Sequence, residues 1–185
     1  MNIQQAVIDT LQQRSKLSPD VLKIDGMMGV YQRHLLNNLV AAFCDPSSSY
    51  LEVGCYRGAA TLAALYGNRH IGSARSIDNF SQFDKRSSNE AAARQWIDSA
   101  KLQRTIPEDT ELVRADSTNP ESYASVRHPP AVFFYDGNHG YEQQRDALPI
   151  LLDSLPKHLV PASLVYVVDD WDFPAVKAGC LDSLD

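Results

Sequence analysis

The stretch that decides the fold is Tyr50-Leu51-Glu52-Val53-Gly54-Cys55-Tyr56-Arg57-Gly58, which is followed by an alanine- and leucine-rich run from Ala59 to Tyr66. The first four residues favour a strand, and the run after the glycines predicts a helix. Glycine lacks the Cβ atom that would keep the backbone away from a ligand, and a helix N-terminus offers free N–H groups. A buried strand, a glycine turn and a helix in this order predict the first unit of a doubly wound nucleotide-binding α/β fold.

Strand-like and helical segments alternate along the rest of the chain. The other predicted strands are Ala74–Asp78, Thr110–Arg114, Ala131–Asp136 and Leu164–Asp169, and the other predicted helices are Ile3–Arg14, Val30–Phe43, Ser88–Thr105, Pro120–Val126 and Tyr141–Leu152. We expect Ser18-Pro19-Asp20 to break the chain and Pro149 to bend or end its helix. This alternation predicts a mostly parallel sheet in a single domain, 1–185, with an N-terminal helical cap at 1–46 and a cofactor-binding core at 47–185.

Composition narrows the function classes. Hydrophobic residues make up 44% of the chain and charged residues 22%, which is ordinary for a soluble globular protein. The net charge of -6 without a basic block argues against a nucleic-acid partner. The sequence shows neither an apolar run long enough to cross a bilayer nor a secretory signal, and its three scattered cysteines fit neither a disulfide framework nor a zinc site. We therefore expect a cytoplasmic protein without a membrane partner.

Four of the five predicted strands end at an acid or just before one. These acids are Asp78, Asp116, Asp136 and the pair Asp169-Asp170. Because ligands of an open parallel sheet bind beyond the carboxyl ends of its strands, these acids predict one acidic rim around a ligand site. Such a rim suits a sulfonium cation better than a phosphate-bearing cofactor. Each acid taken alone is also consistent with a turn former or a helix cap.

The segments after the fourth and fifth strands carry the most titratable groups. They read Asp136-Gly137-Asn138-His139-Gly140-Tyr141-Glu142 and Val168-Asp169-Asp170-Trp171. Neighbouring residues on a strand face opposite ways, so Asp169 and Asp170 share one site only if the chain turns there. Gathered carboxylates repel one another unless they are protonated or bridged by a cation, and oxygen ligands favour Mg²⁺, Ca²⁺ or Mn²⁺. Alternatively, His139 is an exposed or helix-capping residue and the acid pair caps the next helix.

Two motifs resemble a known family. The pattern Glu-x-Gly-x-x-x-Gly over residues 52–58 resembles motif I of the class I S-adenosylmethionine-dependent methyltransferases, which have a Rossmann-like sheet. The pattern Asp-Gly-x-His-x-Tyr-Glu, followed later by Asp-Asp, resembles the metal-dependent O-methyltransferases that act on sugar hydroxyls of macrolides and other antibiotics. The resemblance covers roughly residues 50–171. It implies S-adenosylmethionine as cofactor, Mg²⁺ or another hard divalent cation as a second cofactor, and a small-molecule hydroxyl as methyl acceptor.

The resemblance also assigns roles to single residues. The cofactor-binding residues that it implies are Glu52, Gly54, Cys55, Tyr56, Gly58, Asp78, Asn79, Asp116 and Asp136. It implies that Asp136, Asp169 and Asp170 hold the metal, which lowers the pKa of the acceptor hydroxyl. Asp136 and His139 would be the catalytic residues, with His139 as general base near neutral pH. Some relatives have an aspartate base where this chain has Asn138, so the base role falls on His139 alone.

Other features leave the function open. Class I methyltransferases usually end in a strand hairpin, whereas residues 173–185 supply at most one helix, so the sheet lacks that hairpin and its free edge predicts a homo-oligomer. One alternative is a non-catalytic binding module with this fold, which Asn138 favours. Another is a nicotinamide-dependent oxidoreductase, although the chain lacks a Tyr-x-x-x-Lys pair and a dinucleotide glycine pattern.

Met27 and Met28 either line a substrate pocket or pack in the core.

Overall fold

A computed structural model describes residues 2–82 and 88–184. The helices are α1 (Ile3–Leu11), α2 (Pro19–Leu22), α3 (Val30–Phe43), α4 (Ala59–Leu65), α5 (Ser88–Leu102), α6 (Tyr141–Ser154) and α7 (Pro174–Asp182). The strands are β1 (Ser49–Val53), β2 (Ser73–Asp78), β3 (Thr110–Arg114), β4 (Pro130–Tyr135) and β5 (Val165–Val168). Two short 3₁₀ helices cover Pro120–Tyr123 and Lys157–Leu159.

The five strands form one parallel sheet in the order β3-β2-β1-β4-β5. At the end of the central strand β1, Val53 lies opposite Ile77 of β2 and Tyr135 of β4. The strand order reverses between β1 and β4, which is where doubly wound sheets bind ligands. This arrangement confirms the predicted Rossmann-like fold, and among the described residues the sheet ends at β5.

Both faces of the sheet are covered. Tyr50 of β1 packs in a core with Leu36 of α3 and Leu65 of α4. The next residue, Leu51, points to the opposite face and packs in a second core with Leu151 of α6. The alternation of strand side chains therefore builds two cores, with β1 buried between them.

The segment before α3 is fixed by a buried arginine. Arg33 is 4% exposed, and its guanidinium donates hydrogen bonds to the carbonyls of Val21, Leu22 and Met28. Met28 is buried in the core, whereas Met27 is 68% exposed and lines the cleft described below. Of the two positions predicted for these methionines, Met28 thus lies in the core and Met27 lies at a cleft.

Two local expectations are corrected, and one of the two outcomes expected at Pro149 is excluded. Ser18-Pro19-Asp20 begins α2 instead of only breaking the chain, because Ser18 caps the helix and proline fits its first turn. Pro149 does not end α6, because the helix continues to Ser154. Leu151, which follows Pro149 in this helix, is fully buried. The helix predicted from Pro120 is a single 3₁₀ turn ending at Tyr123. None of the described helices combines the length and the apolar character needed to span a membrane.

Candidate cofactor and catalytic site

A cleft of about 430 Å³ opens at the carboxyl ends of the central strands. Its volume lies in the range of small-molecule sites. The predicted site residues that line it are Gly54, Tyr56, Asp78, Asn79, Asp116, Asp136 and His139. The topological switch point, the cleft and most of the predicted residues therefore coincide.

Gly54 allows β1 and β4 to approach each other at the bottom of the cleft. Its φ of 88° lies in the region that favours glycine, and a Cβ atom there would lie 1.9 Å from the carbonyl oxygen of Asp136. The Gly54 N–H donates to the carbonyl of Ile77 at 2.9 Å, and the Asp136 N–H donates to that of Val53 at 2.9 Å. Any side chain at position 54 would break this junction.

Backbone N–H groups orient the carboxylate of Asp78 at the end of β2. Its Oδ2 accepts from the N–H of Tyr56 at 2.8 Å, and its Oδ1 accepts from the N–H of Phe80 at 2.7 Å. Each carboxylate oxygen keeps a second lone pair, so Asp78 can still accept bonds from ligand hydroxyls. Asp116 is exposed at the cleft, and its Oδ1 accepts from the N–H and the hydroxyl of Thr118 at 2.9 and 2.8 Å. Asp116 therefore forms a turn as well as part of the wall.

The structure does not bring the Glu52 side chain to the cleft. Glu52 is fully buried, and its Oε2 accepts from the hydroxyls of Tyr50 at 3.3 Å and Ser76 at 3.1 Å. Within the described part of the chain its Oε1 has no hydrogen-bond partner. Burial raises the pKa of Glu52 to about 7. Glu52 lies on the opposite face of β1 from Val53, which lines the cleft.

Cys55 and Gly58 pack the glycine turn against α5. The Cys55 side chain packs with Phe80 and Ala93, and burial raises the pKa of its thiol. Gly58 caps α4 with a φ of 84°, and a Cβ atom there would lie 3.2 Å from the Cα of Ala93. Both residues hold the backbone in place, and neither is among the residues that line the cleft.

An acid–histidine cluster lies at one end of the cleft. His139 Nε2 is 3.0 Å from Asp170 Oδ2 and 3.8 Å from Asp136 Oδ1. The ligand atoms of these three residues lie within 4.8 Å of one another. The φ of Asp170 is 53°, so the chain turns directly after β5, as the convergence of these groups requires. The ring of Phe173 lies 5.7 Å from that of His139.

Negative charge accumulates in this cluster. Burial raises the pKa of Asp136 to about 8, and the charge of Asp169 is the next largest cause. Burial also raises the pKa of Asp169. Carboxylates crowded in this way are stabilised by a proton or a bound cation.

Asp169 lies beside the cluster but bonds elsewhere. Its N–H donates to the carbonyl of Tyr135 at 3.1 Å, which places it next to the start of the Asp136 loop. Its Oδ1 accepts from Gln32 Nε2 of α3 at 2.8 Å. The three predicted metal ligands thus lie at one rim. The residues whose side-chain atoms are close enough together to bind one ion are Asp136, His139 and Asp170, so His139 stands there in place of Asp169.

Two glutamines at the site were missed by the sequence analysis. Gln144 is 1% exposed, and its Nε2 donates to the carbonyl of Asn138 at 3.0 Å. The Asn138 Oδ1 accepts from the N–H of Gly140 at 2.8 Å, so the loop after β4 is fixed at both of these points. Gln32 reaches the rim from 137 positions away in the chain. Gln32 is the N3 residue of α3 and bonds to the Gly29 N–H as in a capping box, but its bond to Asp169 is a tertiary contact that this local motif does not predict.

Comparison with known proteins places the chain among methyl-transferring enzymes. A family model described as a methyltransferase domain matches residues 51–171. Similar solved structures include the TDP-rhamnose 3'-O-methyltransferase of calicheamicin biosynthesis, with 14% identity, 97% of this chain and 81% of that chain covered, and a TM-score of 0.62. An rRNA methylase from Streptococcus thermophilus has 17% identity, coverage of 86% and 81%, and a TM-score of 0.55.

A third similar structure was solved with S-adenosylmethionine. It is the O-methyltransferase of tomaymycin synthesis from Streptomyces achromogenes, with 16% identity, coverage of 98% and 75%, and a TM-score of 0.55. No match is found among curated proteins. At these identities the likeness to the solved structures is one of fold.

Proposed function

Because the chain belongs to the family of methyltransferase domains, we propose that it transfers a methyl group from S-adenosylmethionine to a hydroxyl group of a small molecule. The observation that carries this proposal is the cleft at the switch point, where Gly54, Asp78 and Asp136 meet. In S-adenosylmethionine the methyl group is bonded to a positively charged sulfonium sulfur. When the methyl group is transferred, the sulfur is the leaving group and becomes part of a neutral thioether.

The residues of the cleft fit this cofactor. The turn at Gly54 has no Cβ atom, so a ligand can approach its backbone closely. The fixed carboxylate of Asp78 suits a ribose diol, because it can accept hydrogen bonds from two hydroxyl groups. Asn79 and Asp116 extend the polar wall towards β3. The carboxyl groups of Asp78 and Asp116 in the cleft wall favour a sulfonium cation over a ligand that carries phosphates.

A hard divalent cation such as Mg²⁺ is the second cofactor that we propose. Asp136, Asp169 and Asp170 would hold it, since oxygen ligands and uncompensated negative charge meet at this rim. When bound, such an ion acts as a Lewis acid that lowers the pKa of the acceptor hydroxyl. Burial and, next, the charge of Asp169 raise the pKa of Asp136, and a bound cation would stabilise its ionised form.

We propose that His139 takes up the proton of the acceptor. Its Nε2 lies 3.0 Å from Asp170 Oδ2, and this carboxylate would stabilise the imidazolium ion that the proton transfer forms. The acceptor O–H bond breaks, its oxygen bonds to the methyl carbon, and the bond from carbon to sulfur breaks. The neutral amide of Asn138 takes no part as a base, since its Oδ1 accepts from the Gly140 N–H.

The acceptor side of the site is open and partly apolar. Met27, Trp171 and Phe173 are exposed by 68%, 44% and 50%. Met27 lines the cleft, and Phe173 contacts His139. These side chains favour an acceptor that presents an apolar surface beside its hydroxyl group.

The test is turnover, measured as release of S-adenosylhomocysteine with a panel of sugar and aromatic hydroxyl compounds. His139→Ala should reduce turnover at least 100-fold and leave the affinity for S-adenosylhomocysteine within twofold. The exposed His158 has no contact with the cleft, so His158→Ala is the matched control. Full turnover by His139→Ala would refute the base assignment. Cofactor binding without turnover on any acceptor would favour a non-catalytic module.

We also infer a homo-oligomer from the outer strand. Every residue of β5 is half-buried, whereas every residue of β1 is buried. Among the described residues no strand pairs with the outer edge of β5, and such edges readily pair with another chain. Sedimentation equilibrium of the purified protein should give a mass above 20.5 kDa, and a monomer at all concentrations would overturn this inference.

A further inference from the structure

Gln32 joins the start of α3 to the acidic rim. Its Nε2 donates to Asp169 Oδ1 at 2.8 Å, and its Oε1 accepts from the Gly29 N–H at 2.7 Å. The Gly29 N–H is a donor, so the oxygen of the amide must face Gly29 and the NH₂ group must face Asp169. The Gln32 side chain is exposed, yet both the oxygen and the nitrogen of its amide are hydrogen-bonded.

We propose that Gln32 is a positioning residue for Asp169 and thereby sets the affinity of the rim for a divalent cation. This inference rests on the proposed function, in which Asp169 is a metal ligand. Neighbours that bond to a ligating carboxylate orient it, and their loss typically lowers metal affinity 10- to 100-fold. A carboxylate has about four acceptor positions, so the bond to Gln32 leaves others open to a cation.

The geometry explains why Asp169 needs such a partner. The turn at Asp170, with its φ of 53°, directs Asp170 towards His139, and Asp169 follows a strand whose side chains alternate in direction. Asp169 is close enough to Asp136 for its charge to raise the Asp136 pKa. The backbone N–H of Asp170 also donates to the Asp169 carboxylate, so the loss of Gln32 would leave the carboxylate oriented by that local bond. The hydrogen bond from Gln32 holds it at the rim.

The same side chain connects the rim to the cleft-lining segment before α3. Gly29 lies two residues after Met27, which lines the cleft. Fixing Gln32 on Asp169 therefore fixes the backbone at Gly29 as well. Cation binding at the rim should slow amide exchange in residues 26–32, since it immobilises Asp169 and with it Gln32.

The experiment measures Mn²⁺ binding by electron paramagnetic resonance in the presence of S-adenosylhomocysteine. Gln32→Leu, which keeps the size of the side chain but cannot hydrogen-bond, should bind Mn²⁺ about 10-fold more weakly. Its affinity for S-adenosylhomocysteine should stay within twofold of the wild type. Gln103→Leu is the matched control, because Gln103 directly follows α5, is exposed, and donates from its side chain to Ser99 of that helix.

A double-mutant cycle separates positioning from a general effect on folding. In an Asp169→Asn background, Gln32→Leu should cause no further loss of Mn²⁺ affinity, because the group that it positions is already changed. Should Gln32→Leu fold poorly, Gln32→Asn offers a shorter amide with the same expected loss. Additive losses, or unchanged Mn²⁺ affinity in Gln32→Leu, would overturn the inference. A wild-type protein that binds S-adenosylhomocysteine but no Mn²⁺ would overturn it together with the metal assignment and leave the cofactor assignment standing.

Discussion

Replacing Glu52 by glutamine should change how the stability of this protein depends on pH. In an unfolded chain a glutamate releases its proton near pH 4.5, whereas burial raises the pKa of Glu52 in the folded protein to about 7. Between these two values the folded state keeps a proton that the unfolded state has released. The contribution of Glu52 to stability is therefore fully present below pH 4.5 and is lost as the pH rises towards 7.

The size of the effect follows from the shift. A difference between 4.5 and about 7 corresponds to roughly 3 kcal/mol of unfolding free energy. The side-chain amide of the Glu52→Gln variant has nearly the shape of the carboxyl group and no charge at any pH, so the variant would escape this loss. The free energy of unfolding of the variant, relative to the wild type, should thus rise by about 2.5 kcal/mol between pH 5 and pH 8.

Urea unfolding followed by far-ultraviolet circular dichroism at several pH values measures this difference. Comparing variant with wild type removes the pH dependence contributed by Asp169, and what remains from Asp136 is the smaller effect of the Glu52 charge on the Asp136 pKa. Glu108→Gln is the control, because Glu108 is exposed and its replacement should change the difference by less than about 0.5 kcal/mol. A gain below about 1 kcal/mol for Glu52→Gln would refute the reasoning from burial.

Three further substitutions test the packing and the cleft. Gly54→Ala should cost roughly 3 kcal/mol of stability in urea unfolding and abolish S-adenosylhomocysteine binding, because its Cβ would lie 1.9 Å from the Asp136 carbonyl; normal binding would contradict this. Asp78→Ala should weaken S-adenosylhomocysteine binding in calorimetry about 10- to 100-fold, and an unchanged affinity would remove Asp78 from the site. Gly179→Ala should cost about 2 kcal/mol, since its Cβ would lie 2.3 Å from the carbonyl of Tyr141, and an unchanged urea midpoint would argue against close α6–α7 packing.

The fold was predictable because its signals are local. The glycine turn after β1, the apolar strands and the acids at strand ends all follow from short stretches of sequence, and α3 and β3 were predicted with their observed bounds. The errors have local causes too. Ser18 can cap the start of a helix as well as mark a break between two helices. Pro149 is tolerated inside α6 because Leu151 packs this helix against the sheet.

The site was predictable only in part. Gly54, Asp78 and Asp136, which the motifs single out, all line the cleft, because the carboxyl ends of parallel strands converge there. Whether a side chain faces the cleft or the core depends on strand alternation and packing, which is why Glu52 turns inward. The contact between Gln32 and Asp169 depends on how α3 lies against β5, and no spacing in the sequence encodes it.

The central claim is that the cleft between Gly54, Asp78 and Asp136 binds S-adenosylmethionine. Isothermal titration of the wild-type protein with S-adenosylhomocysteine, and separately with NAD, tests it most directly. We predict one saturable site per chain for S-adenosylhomocysteine and no heat of binding for NAD. Saturable NAD binding without any S-adenosylhomocysteine binding would contradict the account.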